Sequence, residues 1–150
     1  MGIRMTTPLS EIDAYTESNR ERAKQAIIGV LEDVGVQCII EARDHPGYTD
    51  QTGNLRSSIG YAVVVDGRIV RSKVSEQVKG GVEGNREATA FLSRLASEHN
   101  TGICLIVVAG MNYAVYVEGR GKNVLTSAKL LADRLVPQML EQLGFTIKQV

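Results

Sequence analysis

The sequence contains no tryptophan, only two cysteines, two histidines and three prolines, and its 17 basic residues are balanced by 17 acidic ones. Each scarcity removes a class of function. Cys38 and Cys104 lie in the apolar runs VQCII and GICLIVV, without CxxC spacing or a Cys/His cluster, so neither a disulfide scaffold nor a zinc site is read here. Thiols in such surroundings behave as small hydrophobes, and a reducing cytoplasm suits them. A nucleic-acid binder draws its affinity from a basic surplus, which this chain lacks, so no specific nucleic-acid partner is expected. No apolar run approaches the ~20 residues that span a bilayer, and MGIRMTTPLSEIDAY has no apolar signal-peptide core. No membrane role is expected.

What remains is an ordinary globular composition. The chain has 150 residues, of which 43% are hydrophobic and 23% charged, enough for one domain spanning 1–150 with its own core. Ser10 to about Arg43 reads as one long helix, with Ser10 and Asp13 as a capping arrangement. Ile27, Val30, Leu31, Val34 and Cys38 form its apolar stripe. The preceding stretch is polar almost all round, so residues 1–22 are read as a projecting part. Gly29 and Gly35 weaken the helix and are expected where it packs closely.

YAVVV and RIVRSKV, separated by Asp66-Gly67, predict a hairpin with strands near 59–65 and 68–75, because that turn type needs positive φ at both central residues. EQVKGGVEGN reads as a glycine-rich loop, with Asn85 capping a helix to about Glu98 whose apolar face is Ala88, Phe91, Leu92 and Leu95. ICLIVVAG is a continuous apolar run and predicts the central buried strand. A helix follows from about Thr126 to Leu143, with Ala128, Leu131, Leu135, Met139 and Leu143 inward and a kink at Pro137. FTIKQV reads as a short edge strand. The order predicts an α+β fold with all its helices on one face of a small antiparallel or mixed sheet, in which a long N-terminal helix and a C-terminal helix pack on a mainly antiparallel sheet containing a β-hairpin.

No motif carries catalysis. KGGVEGN and EGRGKN lack the GxxxxGK[ST] pattern of a phosphate loop, so no cofactor is expected. Asp44 and His45 with Ser57 or Ser58 could be arranged as a triad, but no GxSxG-like elbow accompanies them. Glu11, Asp13, Glu17 and Glu21 suit the dipole at a helix start better than a metal. The chain is therefore read as not an enzyme.

Two segments are left over by core packing. One is Asp50 to Ile59, a polar turn in which Gly53 is free to take unusual φ/ψ. The other is Asn112 to Gly119, whose tyrosines have the apolar body and polar tip that suit interfaces. In this order they read D-x-T-G-x-L-R-x-S-I, a hairpin, then Y-A-x-Y-V-E-G before a C-terminal helix. This arrangement resembles the tail-completion or head–tail joining (neck, minor tail) proteins of tailed bacteriophages and prophages, over roughly residues 10–143. The resemblance implies a structural virion-assembly component at the head–tail junction or tail end. Its partners would be other neck and tail proteins, with a homo-oligomeric ring formed on assembly, in the host cytoplasm and then the virion. It also implies assembly contacts at Thr52, Gly53, Asn54, Leu55, Arg56, Ser57, Tyr113, Tyr116 and Glu118.

The chain departs from that pattern in two places. It has Glu118-Gly119-Arg120-Gly121-Lys122-Asn123 with no proline before Pro137, and it carries an extra helix near 86–98. The other readings kept are a small dimeric ligand-binding or regulatory α+β domain and, third, a hydrolase using His45 or Asp50.

Overall fold

The computed structural model describes Gly2, residues 9–44, 53–77 and 80–111, Ala114, Glu118 and residues 123–146. Among them the elements are α1 (Leu9–Asp44), α2 (Asn54–Ser57), β1 (Ile59–Val65), β2 (Arg68–Val74), α3 (Val82–Glu98), β3 (Ile103–Ala109) and α4 (Thr126–Gln142). The fold is α+β, with long N- and C-terminal helices and a three-stranded antiparallel sheet in the order β2-β1-β3.

The hairpin forms as its sequence dictates. Asp66 has φ 49° and Gly67 φ 84°, the double positive φ of the expected turn. Val63 pairs with Arg71 and Val64 with Ile69, so β2 carries a bulge between these pairs. Strand β2 is mostly exposed and bears Arg68, Arg71 and Lys73, with Arg71 reaching Glu32 of α1 at 3.3 Å.

Strand β1 is buried at all seven positions and is the true centre of the sheet. Its odd residues Ile59, Tyr61, Val63 and Val65 join a core with α1 and α4, while Ala62 and Val64 join a second core with α3. Two expectations are corrected here. The run ICLIVVA is an edge strand, and the helices cover both faces of the sheet instead of one. The residue types of β3 explain the first: Leu105 and Val107 join one core and Ile106 and Val108 the other, so an edge strand with both faces covered also needs to be apolar throughout.

Helix α1 spans 36 residues, about 54 Å at 1.5 Å per residue. The helix already includes Leu9, so Ser10 lies within it and not at its cap. Its described side chains from Ser10 to Arg22 are all exposed, and burial begins near Ala23. Val34, Cys38 and Ala42 are then fully buried. The Cys38 thiol donates to the Ala128 carbonyl at 3.4 Å and ties α1 to α4. Burial, with the Glu41 charge adding, pushes this thiol up to about 11, so it stays protonated at neutral pH.

The two α1 glycines differ. A Cβ at Gly35 would stand 2.6 Å from Cγ of the Tyr61 ring, so only glycine lets α1 approach β1 there, whereas Gly29 has open space around it.

Helix α3 begins at Val82 with Gly81 as its N-cap, four residues before the expected start at 86. KGGVEGN is therefore only partly loop, and Asn85 lies in the first turn instead of capping it. Helix α4 continues through Pro137 to Gln142, and it packs mainly on α1. Its partly buried residues are Ala132, Leu135, Val136, Met139 and Leu140, while Leu143, expected inward, is 55% exposed. Gly144 at φ 91° ends it. Residues 147–150, part of the expected last strand, lie outside the described residues. No helix among the described residues is long and apolar enough to cross a membrane.

The glycine contrast is directly testable. Gly35→Ala is expected to lower the unfolding free energy by about 1–3 kcal/mol, the usual cost of overpacking. Gly29→Ala, at an exposed helical position, is expected to raise it by up to about 1 kcal/mol. Urea unfolding of both variants measures the difference.

Candidate functional site

The first leftover segment lies at one end of the sheet, where β1 starts and the ends of α1, β2 and β3 and the start of α3 meet. Gly53 takes φ 78°, ψ −7° and starts the single turn α2. Left-handed backbone of this kind is what glycine alone adopts cheaply. The Ser57 N–H then donates to the Gly53 carbonyl at 3.0 Å. Leu55 is 3% exposed and joins the α1 core, while Ser57 and Ser58 are fully buried. The Ser58 hydroxyl donates to the Leu55 carbonyl at 2.7 Å, a structural bond.

Asn85, which the sequence marks only as a helix cap, is the centre of this end. Its side-chain amide donates to the Ser57 carbonyl and, at 2.9 Å, to the Ser75 carbonyl. One NH₂ group thus joins α3 to the turn before β1 and to the residue after β2. Ser75 is itself buried and donates to the Ile59 carbonyl from both N–H (2.8 Å) and hydroxyl (2.7 Å). The approach depends on glycine: a Cβ at Gly81 would sit 2.7 Å from the Gly53 carbonyl, and one at Gly84 would overlap the Asn54 backbone. Asn54 reaches the same helix, to Glu83 and to the Gly84 N–H at 3.4 Å each.

Arg56 turns the other way. One of its terminal nitrogens, Nη2, donates to the Arg43 carbonyl at 2.7 Å, satisfying one of the orphan acceptors at the end of α1. Motif residues Gly53 to Ser57 are therefore brought together, but Leu55 and Ser57 present no side-chain surface to a neighbour. The partly exposed Asn54 and Arg56 do, while Gly53 is itself buried.

Of the second segment, Ala114 and Glu118 are described, and both are helical. Glu118 accepts from the N–H groups of Val124, Leu125 (3.0 Å) and Thr126 (3.1 Å) and from the Thr126 hydroxyl. It is an anion on the start of α4, where the helix dipole and the free N–H groups favour one. Partial burial raises its pKa, but the bonds from the Thr126 hydroxyl and the three N–H groups outweigh it and hold the carboxyl below its usual value. Thr52, Tyr113 and Tyr116 lie outside the described residues, as do His45 and Asp50.

Beside β3, which among the described residues pairs only with β1, is a cleft of about 590 Å³, walled by Phe91 and Leu95 of α3 and by Leu125 and Lys129 near the start of α4. Among the described residues, no group of three or more His, Cys, Asp or Glu is placed to hold a metal ion. Comparison of the chain with protein-family models, with curated proteins and with solved structures gives no match.

Two outcomes follow from these bonds. Asn85→Ala leaves two carbonyls without their donor and is expected to cost about 1–3 kcal/mol, with Asn85→Asp at least as costly because it sets an acceptor against them. Denaturant unfolding of both variants checks this.

Glu118 has a depressed folded-state pKa, so its contribution is complete above the ordinary carboxyl range and is lost as pH falls through and below it. Glu118→Gln is expected to lose about 1 kcal/mol at pH 7, the usual worth of a cap, and the gap to wild type is expected to shrink at a second, acidic pH below the ordinary carboxyl range. Thermal unfolding at the two pH values measures it.

Proposed function

We propose that this chain is a structural component of phage or prophage virion assembly, acting at the head–tail junction or tail end through oligomeric contacts and not through catalysis. The observation that carries the reading is the way the two motif segments are built in. Gly53 to Ser58 closes the end of α1 and locks onto α3 through Asn85, and Glu118 fixes the start of α4. Gly53 to Ser58 and the Glu118 side chain are each anchored by hydrogen bonds with backbone groups at an element terminus. A subunit that must present the same surface to identical neighbours needs such preorganised segments. Ser57 and Ser58 are buried and the Ser58 hydroxyl is bonded to the Leu55 carbonyl, which favours a structural role for them.

The second reading, a small dimeric ligand-binding domain, has one observation in its favour. The cleft beside β3, about 590 Å³ and largely apolar, falls in the size range of small-molecule sites.

Electron microscopy of a phage lysate produced without this chain separates the two. Filled heads beside unjoined or malformed tails are the expected result. Normal joined, infectious particles would overturn the assembly reading and turn attention to the cleft.

A further inference from the structure

Helix α1 begins without company. Its described side chains from Ser10 to Arg22 are all exposed, Tyr15 among them at 70%. Most helical stability in proteins comes from packing, and a stretch that stands clear of its core takes little from that source. Local pairs offset only part of the loss: Arg20–Glu17 at 3.5 Å and Gln25–Glu21 at 3.1 Å both lie in water.

The order of residues along this stretch is that of a helix with a partner. Leu9, Ile12, Thr16, Asn19, Ala23 and Ala26 follow one another at spacings of three, four, three, four and three. Alternating steps of this kind make the 3.5-residue repeat that keeps one seam turned toward a second helix. Asp13 and Arg20 each follow a seam position and flank the seam on one side. Tyr15 and Arg22 each precede one and flank it on the other. All four are exposed, as are Thr16 and Asn19 between them.

Charge selects the occupant and its direction. The tip of the helix carries Glu11, Asp13 and Glu17, and the part nearer the core carries Arg20, Arg22 and Lys24, with Glu21 the one acid among them. Such a helix is complementary to itself reversed. An antiparallel pair with its two-fold axis between Glu17 and Ser18 sets Thr16 of each copy opposite Asn19 of the other. It also sets seam positions 12 and 9 opposite Ala23 and Ala26, so larger residue types meet smaller ones. In that register Asp13 meets the partner's Arg20 and Tyr15 the partner's Arg22, an ion pair and a cation–π contact, each made twice. A shift of one heptad in one direction sets Asp13 against Asp13. A shift in the other sets Arg20 against Arg20 and Arg22 against Arg22. The charges therefore admit one register of the three.

We propose that residues 9–26 of α1 form an antiparallel, two-fold symmetric helix pair with the same residues of a second copy, held in register by Asp13 and Arg20. The contact uses one surface twice, so it closes at two copies, with the two cores at opposite ends of the paired helices. It goes beyond the assembly reading and does not rest on it, because it concerns the free subunit.

The test is analytical ultracentrifugation of the full chain from micromolar to millimolar concentration, at low ionic strength where exposed charge pairs are least screened. Asp13→Arg, Arg20→Asp and the double variant that exchanges the two are run beside it. Expected is a reversible monomer–dimer equilibrium. Each single reversal is expected to weaken it roughly tenfold or more, because like charges then meet at two symmetry-related places. The double variant is expected to recover the dimer. Both positions lie outside the core, so circular dichroism is expected to stay native in all three variants. A wild-type chain that stays monomeric throughout overturns the proposal. A dimer that the single reversals leave unchanged does so too, as does a double variant no tighter than the single ones.

Discussion

Strand β1 has to hide both faces of its pleat at once, and the rest of the molecule is arranged around that need. Its seven residues alternate between a core under α1 and α4 and a core under α3. Where a side chain on one face is large, the partner gives way: Gly35 of α1 makes room for the Tyr61 ring. Where the helix comes close on the other face, the strand gives way, with Gly60 and Ala62 beneath Leu92. Close packing of this sort leaves little freedom for either helix to slide, because interiors are filled at crystal-like density.

The ends of the elements are handled by polar groups of unusual economy. Asn85 satisfies two carbonyls from two different loops, Arg56 satisfies one at the end of α1, and Glu118 collects three N–H groups at the start of α4. Each of these closes a backbone terminus that would otherwise be left unpaired on burial. Gly53 to Ser58 and Glu118, which belong to the two segments that stood out in the sequence, are thus accounted for by capping.

Much of this was legible from residues alone. The hairpin was fixed by Asp66-Gly67, whose positive φ values the turn requires, and α1 by its stripe of Val30, Val34 and Cys38. What escaped was tertiary in origin. ICLIVVA and YAVVV are equally apolar, so their composition could not say which is central; pairing decides it. Asn85 is a good cap residue by type, yet helix α3 starts earlier because Gly81 and Gly84 allow contact with Gly53, Asn54 and Ser57, none of them near in sequence. On α4 the expected Ala128, Leu135 and Met139 do face the core, whereas Leu143 is exposed because it lies just past the last helical residue, Gln142.

The polar first part of α1 has a mechanical consequence. From Ser10 to Arg22 the helix stands clear of the core, about 20 Å of single rod braced by local pairs such as Arg20–Glu17 at 3.5 Å. Its root is continuous with the buried stretch at Val30–Cys38, with no proline between. A rod fixed this way is a lever: a rotation of a few degrees in the core is carried to its tip as a displacement of ångströms. It also gives the molecule a drag in solution larger than its 16.3 kDa mass alone would set.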